Sequence, residues 1–303
     1  METQVFKCGG KFFISSIVKS FFNQTSINLK DKKTVFVISA MNGITRLLRL
    51  NFIIKTEVKI DEELKKLMTS LCLSEFKRSH MEFISELFPE EEKHAVENNF
   101  IKLFNDLEKT IDVYKTDDNK DEFYASVLQF GELASSSILS SYINYIKINN
   151  TWFDAREYVV TDSNSREARI LNIKEDFQNL FDKDNVLVTQ GFIGRDARGS
   201  NTVVGFDGSD YSAAMFANSI TKNQKKISLT FWKDVMGVYD ENPAKNKEAK
   251  LISEMSRGEY IENTEKNGSF VVRPDSIFSL NENIEVIIRS FVNFENSGTK
   301  IHN

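Results

Sequence analysis

Residues 186–211 read V-L-V-T-Q-G-F-I-G-R-D-A-R-G-S-N-T-V-V-G-F-D-G-S-D-Y. Val186, Leu187 and Val188 form the short apolar run of a buried strand, and Gly191 and Gly194 break it. A Gly/Asn/Ser-rich hairpin follows, with Val203 and Val204 as a short second strand, and Gly205, Gly208 and Ser209 make the next turn. Asp210 stands where a helix begins, and residues 211–218 (Y-S-A-A-M-F-A-N) continue it with good helix formers. Strand, glycine turn and helix N-terminus together make an anion site, because free backbone N–H groups and the helix dipole point at the ligand. The same residues also suit an ordinary β–α turn in which the glycines serve geometry alone.

Outward from this stretch the chain alternates apolar strands with amphipathic helices. Residues 4–7 read as a strand ending at Gly9 and Gly10, a glycine pair that lets phosphate approach the backbone closely, with the Lys7 ammonium beside it. A helix is expected over 13–29, with Ile14, Ile17, Val18, Phe21 and Phe22 on one side. Residues 34–38 (T-V-F-V-I) are a buried strand, the loop 39–45 turns at Gly43, and Thr45 suits the N-cap of a helix running to Phe52. Residues 61–114 are helical, with Leu64, Leu67, Met68, Leu71 and Cys72 at helical spacing and a break at Pro89. Residues 116–121 are a loop, and residues 122–148 are one helix with Gly131 and Glu132 near its middle. A strand and turn over 158–162 leads into a polar loop, 161–170. A strand over 226–232 runs into K-D-V-M-G-V-Y-D-E-N-P, which supplies the apolar slot and polar groups that adenine and ribose need. A helix over 256–263 and a strand over 284–288 complete the pattern.

Composition narrows the class. The 303 residues are 41% hydrophobic and 27% charged, enough for a large core or two lobes of a soluble protein. A net charge of -5 carries no nucleic-acid footprint. No apolar run is long enough to span a membrane, and the N-terminus has no signal-peptide pattern. Two cysteines, Cys8 and Cys72, imply no disulfide framework and a reducing, cytoplasmic setting. The three histidines show no metal-ligand spacing, so no protein metal site is expected.

T-Q-G-F-I-G followed by G-x-x-G-S-D-Y-S-A-A resembles aspartokinase, within the amino acid kinase family. K-C-G-G at residues 7–10, S-A-M-N-G-I-T at 39–45, G-E-L at 131–133 and W-K-D-V-M-G-V-Y at 232–239 agree in order and spacing. The resemblance covers residues 5–299. It implies a three-layer α/β/α sandwich with a mostly parallel central sheet of about eight strands, plus a helical substrate-side subdomain. The whole chain, 1–303, is expected to be a single amino acid kinase domain. Residues 1–184 form its acceptor-binding part, with a helical insertion over 61–148, and 185–303 its ATP-binding part. No regulatory tandem domains of the kind found in feedback-controlled aspartokinases are expected, and a homodimer is.

The implied reaction is ATP-dependent phosphorylation of the aspartate side-chain carboxylate, a step of amino-acid and lysine biosynthesis. Lys7 would stabilise the transferred phosphoryl group, and Asp210 would orient that lysine and the glycine loop. Gly9, Gly10, Gly208 and Ser209 would meet the phosphates, and Lys233, Asp234, Gly237 and Tyr239 the nucleotide. Mg²⁺ would bridge phosphate oxygens. On the acceptor side the resemblance places Ser39, Thr45, Ser209, position 206, and Glu132 as the partner of the substrate ammonium. Phe206 stands in place of the arginine that grips the α-carboxylate, Phe270 replaces a second lysine, and Asn242 and Ala244 replace an aspartate and an arginine around Pro243. Losing a charge-assisted pair costs about 1.5–3 kcal/mol. These changes predict a slow aspartate kinase, a kinase for another small acceptor, or a nucleotide-binding pseudoenzyme. Arg166 or Arg195 is available to replace the lost arginine, and Lys11 or Phe12 to reshape the phosphate site.

Overall fold

The computed structural model describes residues 2–115, 117–205, 207–221 and 227–303. Phe206 and Thr116 lie outside them, and the strand expected from Lys226 is described from Ile227. In chain order the elements are β1 (Thr3–Cys8), α1 (Ser15–Asp31), β2 (Lys33–Ile38), α2 (Ile44–Thr56), α3 (Glu62–Leu87), α4 (Glu90–Asp112), α5 (Lys120–Leu128) and α6 (Phe130–Tyr145). Then come β3 (Asn150–Trp152), β4 (Val159–Thr161), β5 (Ile170–Ile173), β6 (Val186–Gln190), β7 (Ile193–Asp196), β8 (Asn201–Val203) and α7 (Gly208–Thr221). The last part holds β9 (Ile227–Lys233), β10 (Val238–Tyr239), β11 (Leu251–Ile252), β12 (Glu254–Ser256), α8 (Arg257–Asn267), α9 (Pro274–Phe278), β13 (Ile284–Ser290) and β14 (Thr299–His302).

The main sheet has eight strands in the order β12-β14-β13-β9-β1-β2-β6-β3, all parallel neighbours except the antiparallel pair β13–β14. Its central strands are buried almost along their length, as strands covered on both faces are, with apolar residues predominating. Successive side chains leave a strand on opposite faces, and β1 shows which layer lies where. Phe6 meets Phe21 of α1, with ring centroids 6.4 Å apart, whereas the next residue, Lys7, meets Asp210 of α7. Thus α1 covers one face and α7 the other. Tyr142 of α6 packs on Phe22 of α1 at 5.8 Å and places α6 on the α1 side. This is the expected three-layer α/β/α sandwich. A four-stranded sheet, β5-β4-β7-β8, and the β10–β11 ribbon flank it.

Several local expectations are corrected. Phe12 does not narrow the phosphate site. It is fully buried in a 3-10 turn, Gly10–Phe12, edge-on to Phe13, Phe21 and Phe291. Ile14, the N-cap of α1, is 52% exposed rather than part of the buried stripe. In α3, Leu64, Leu67 and Leu71 are exposed although Cys72 is buried, because they lie on the side turned away from α4 and α2. The helix expected over 122–148 is broken at Gln129 into α5 and α6, so Glu132 lies in the first turn of α6 and not mid-helix. Ser256 is the N-cap of α8 in a capping box with Glu259. Beyond Gly298 the chain adds β14 to the main sheet.

Candidate active site

The C-terminal ends of β1 and β9 carry two lysines toward the same helix. Lys7 pairs in register with Phe231, so Lys233, two residues further along β9, leaves the sheet on the Lys7 face. Asp210, in the first turn of α7, forms ion pairs with both: Lys7 Nζ lies 2.6 Å from Oδ1 and Lys233 Nζ 2.8 Å from Oδ2. The Asp210 side chain is buried. Burial raises its pKa, but the Lys7 and Lys233 ammoniums outweigh burial and hold it below the usual carboxylate range. Burial and the Lys7 charge push the Lys233 ammonium down, against Asp210. A single carboxylate thus organises two cations at a helix N-terminus, where the macrodipole also favours anions.

Two close approaches require glycine. A Cβ on Gly10 would stand 2.7 Å from the Ala40 carbonyl oxygen and 2.9 Å from the Asn42 nitrogen, so only glycine lets the turn after β1 touch the turn after β2. A Cβ on Gly191 would stand 2.7 Å from Ser209 Cα, so Gly191 seats the N-terminus of α7 against the end of β6. Gly9 lies beside the Lys7 ammonium; a Cβ there would be 3.4 Å from Nζ.

A cavity of about 840 Å³ opens from this cluster. It brings together Lys7, Gly10, Ser39, Thr45, Glu132, Arg166, Gly208 and Ser209. Thr45 is not the N-cap of α2. Gly43, in a left-handed conformation, holds that position, which leaves the Thr45 hydroxyl in the first turn beside the cavity. Glu132 is buried: Oε1 accepts the Ala40 N–H at 3.2 Å, and Oε2 has no hydrogen-bond partner among the described residues. Burial pushes the Glu132 carboxyl up to about 8, with the Ala40 N–H opposing. Arg166 reaches the rim. Its guanidinium lies 4.4 Å from the Tyr124 ring centroid and 5.1 Å from that of Phe52, and it pairs with Asp121 at 3.4 Å. Arg195 does not reach the cavity; it sits on β7 and donates to Asn201.

The cavity also holds residues that sequence reasoning missed. Arg46 and Arg49 of α2 line it, and Arg49 Nε donates to the Tyr124 hydroxyl at 3.1 Å. The signal was present: Thr45 and Arg49 are spaced i, i+4 and share a helix face. Asp207 lines it too, in a left-handed conformation at φ 54. Burial and the Asp210 charge raise the Asp207 pKa, against Lys233, Lys7 and Arg273.

A second cavity, of about 330 Å³, is lined by Gly237, Tyr239, Pro243, Ala244 and Phe270, with Tyr260 at its floor. The Tyr260 hydroxyl is tied to the Val272 carbonyl and N–H. Asp234 pairs with Lys11 at 2.6 Å; burial raises its pKa, but the Lys11 hydrogen bond and charge prevail and lower it. Lys11 thus contributes an exposed ion pair.

The profile of the "Amino acid kinase family" matches residues 2–290. A bifunctional aspartokinase/homoserine dehydrogenase 2 of Zea mays is 28% identical over 279 residues, which are 89% of this chain and 29% of that protein. An aspartokinase of Chlamydia pneumoniae is 25% identical over 305 residues, 100% of this chain and 63% of that protein. Among solved structures, E. coli aspartokinase III in complex with aspartate and ADP superposes with a TM-score of 0.81 at 21% identity, covering 100% of this chain and 65% of that one. The chain thus spans under two thirds of the length of both relatives.

Proposed function

Because this chain belongs to the amino acid kinase family, we propose that it transfers the terminal phosphoryl group of ATP to the side-chain carboxylate of aspartate. The observation that carries this reading is one charge cluster beside two cavities in the chain's own order: a polar cavity holding Lys7, Glu132 and Arg166, and a largely apolar slot holding Gly237 and Tyr239 from the segment that follows Lys233. The relatives named above support the acceptor.

In this reading the adenine enters the slot of residues 237–244 and the phosphates run toward Gly9, Gly10, Gly208 and Ser209. Phosphoryl transfer is mostly positioning and electrostatics. Lys7 offsets the charge on the transferred group, while Asp210, both oxygens committed to ammoniums, holds that geometry and does not act as a base. The acceptor carboxylate is already a nucleophile and needs no general base. Ser39 and Thr45 place it, and the unpartnered Oε2 of Glu132 receives its ammonium. Arg166, stacked on Tyr124 and Phe52, is the guanidinium that takes the α-carboxylate, with Arg49 anchored to the same tyrosine. A magnesium ion fits here as well. Asp207 is a carboxylate lining the cavity beside the lysines, whereas the Asp210 oxygens are taken. Asp207 would hold the ion together with water, and bound there it would neutralise phosphate charge. Residues 1–184 are proposed as the acceptor part, 185–303 as the ATP part, and a homodimer as the assembly.

A phosphoryl-transfer assay across a panel of amino acids tests the function. Aspartate should be the preferred acceptor, and Arg166→Ala should raise its KM ten- to a hundredfold, the worth of a charge-assisted pair. Preference for another acceptor, or no transfer with normal ATP binding, would overturn it.

A further inference from the structure

We propose that Lys233 is the second phosphoryl-facing ammonium of this site, taking over from β9 the charge that the aspartokinase pattern carries at position 270. The assignment rests on the phosphoryl-transfer reading and deepens it. Position 270 holds phenylalanine, which is 44% exposed and lines the base slot with Pro243 and Tyr239. An apolar ring there cannot supply a cation. Lys233 can, and three observations place it. Strand parity and register put it on the face of Lys7, one side-chain step nearer the C-terminal edge of the sheet, where ligands of open α/β sheets bind. Its ammonium lies 2.8 Å from the Asp210 oxygen that Lys7 does not use. Its side chain is mostly buried, so the stem is held and the head is aimed.

The arrangement is more than a structural ion pair. Asp210 spans both ammoniums at the N-terminus of α7, and Asp207, pushed toward its neutral form by burial and by the Asp210 charge, is the other carboxylate that faces them. A purely structural role for Asp210 would be met by Lys7 alone. A second buried ammonium costs free energy unless anions surround it. A nucleotide's terminal phosphate is the anion that the site's other features call for. Position 233 thereby restores the charge count that residue 270 removes.

The test uses the full chain and two nucleotides. Calorimetry compares the non-hydrolysable β,γ-imido analogue of ATP with AMP for the wild type, Lys233→Met and Lys233→Arg. Lys233→Met should weaken the triphosphate analogue about tenfold or more and leave AMP within about twofold, and Lys233→Arg should recover much of the loss. With aspartate and ATP, Lys233→Met should lower kcat at least a hundredfold, well beyond its effect on the KM for aspartate. Equal weakening of both nucleotides, or of neither, would overturn the assignment and leave Lys233 as a structural partner of Asp210. A wild type that does not phosphorylate aspartate, combined with selective loss of the triphosphate in Lys233→Met, would overturn the acceptor and leave Lys233 in place.

Discussion

Glu132 sets the pH response of the acceptor site. In the free site burial pushes its carboxyl up to about 8 from 4.5, so below that pH it is mostly protonated. A substrate ammonium needs the carboxylate. Acceptor affinity should therefore rise with pH and level off above about 8, by roughly 25-fold between pH 6.5 and 8.5. Calorimetry near pH 7 in buffers of different ionisation enthalpy should show proton release on aspartate binding. Glu132→Gln should bind weakly and lose both the pH dependence and the proton release. A pH-independent affinity in the wild type would remove Glu132 from the ammonium site. For folding the sign is opposite. Between pH 4.5 and 8 the native state holds a proton that the unfolded chain has lost, so this group's contribution to stability declines as pH rises.

The α3–α4 hairpin has its own pH limit. His80 of α3 is buried between Phe76 and Phe100, with Nδ1 donating to the Phe76 carbonyl and Nε2 without a partner among the described residues. Burial pushes its pKa down to about 4 from 6.5, with the Phe76 carbonyl opposing. Below pH 6.5 the unfolded chain takes up a proton that the native hairpin refuses. Stability is then lost as pH falls from 6.5 toward 4, by about 3 kcal/mol in total at 1.36 kcal/mol per unit. Urea midpoints at pH 7 and 4.5 check this: His80→Leu should shrink the difference between them, and an unchanged difference would assign the acid lability elsewhere. The central strands work differently. Apart from Lys7, Lys233 and other residues at their ends, their side chains do not titrate, so their stability follows burial.

At the scale of the molecule, one apolar core runs continuously from the α3–α4 hairpin through the main sheet to α8 and α9. The acceptor cavity, which Lys7 lines, and the base slot, lined by residues just after Lys233, share no lining residue. A ligand bound to the folded state stabilises it by about 2.7 kcal/mol at a hundredfold excess over Kd. Saturating ATP analogue should therefore raise the melting temperature of the chain, and aspartate added to it should raise it further, because each fills a different cavity. No shift with millimolar nucleotide would rule out the ATP reading. Sedimentation velocity under the same conditions checks the proposed homodimer.

The layer order was legible because strands and helices write their periods into adjacent residues. Thus 34–38 and 186–188 could only be buried strands, and the glycines at 9, 10, 191 and 208 marked the turns where backbone meets ligand. The spacing of five motifs then placed Lys7, Asp210 and Glu132 in one family pattern. What periodicity cannot express is which side chains meet across long separations. Phe12 looked like a site residue because it follows the glycine pair, yet its ring turns into the core against Phe21 and Phe291. Leu64, Leu67 and Leu71 have helical spacing but lie on the outer side of α3. Arg49 shares a helix face with Thr45, but the hydrogen bond that Tyr124, 75 residues away, accepts from it is invisible to spacing. Local spacing determined the sheet, the glycine turns and the phosphate end of the site. The tertiary structure alone decided that Asp210 bridges two lysines from neighbouring strands and that Tyr124 gathers two arginines, because both depend on packing between elements far apart in the chain.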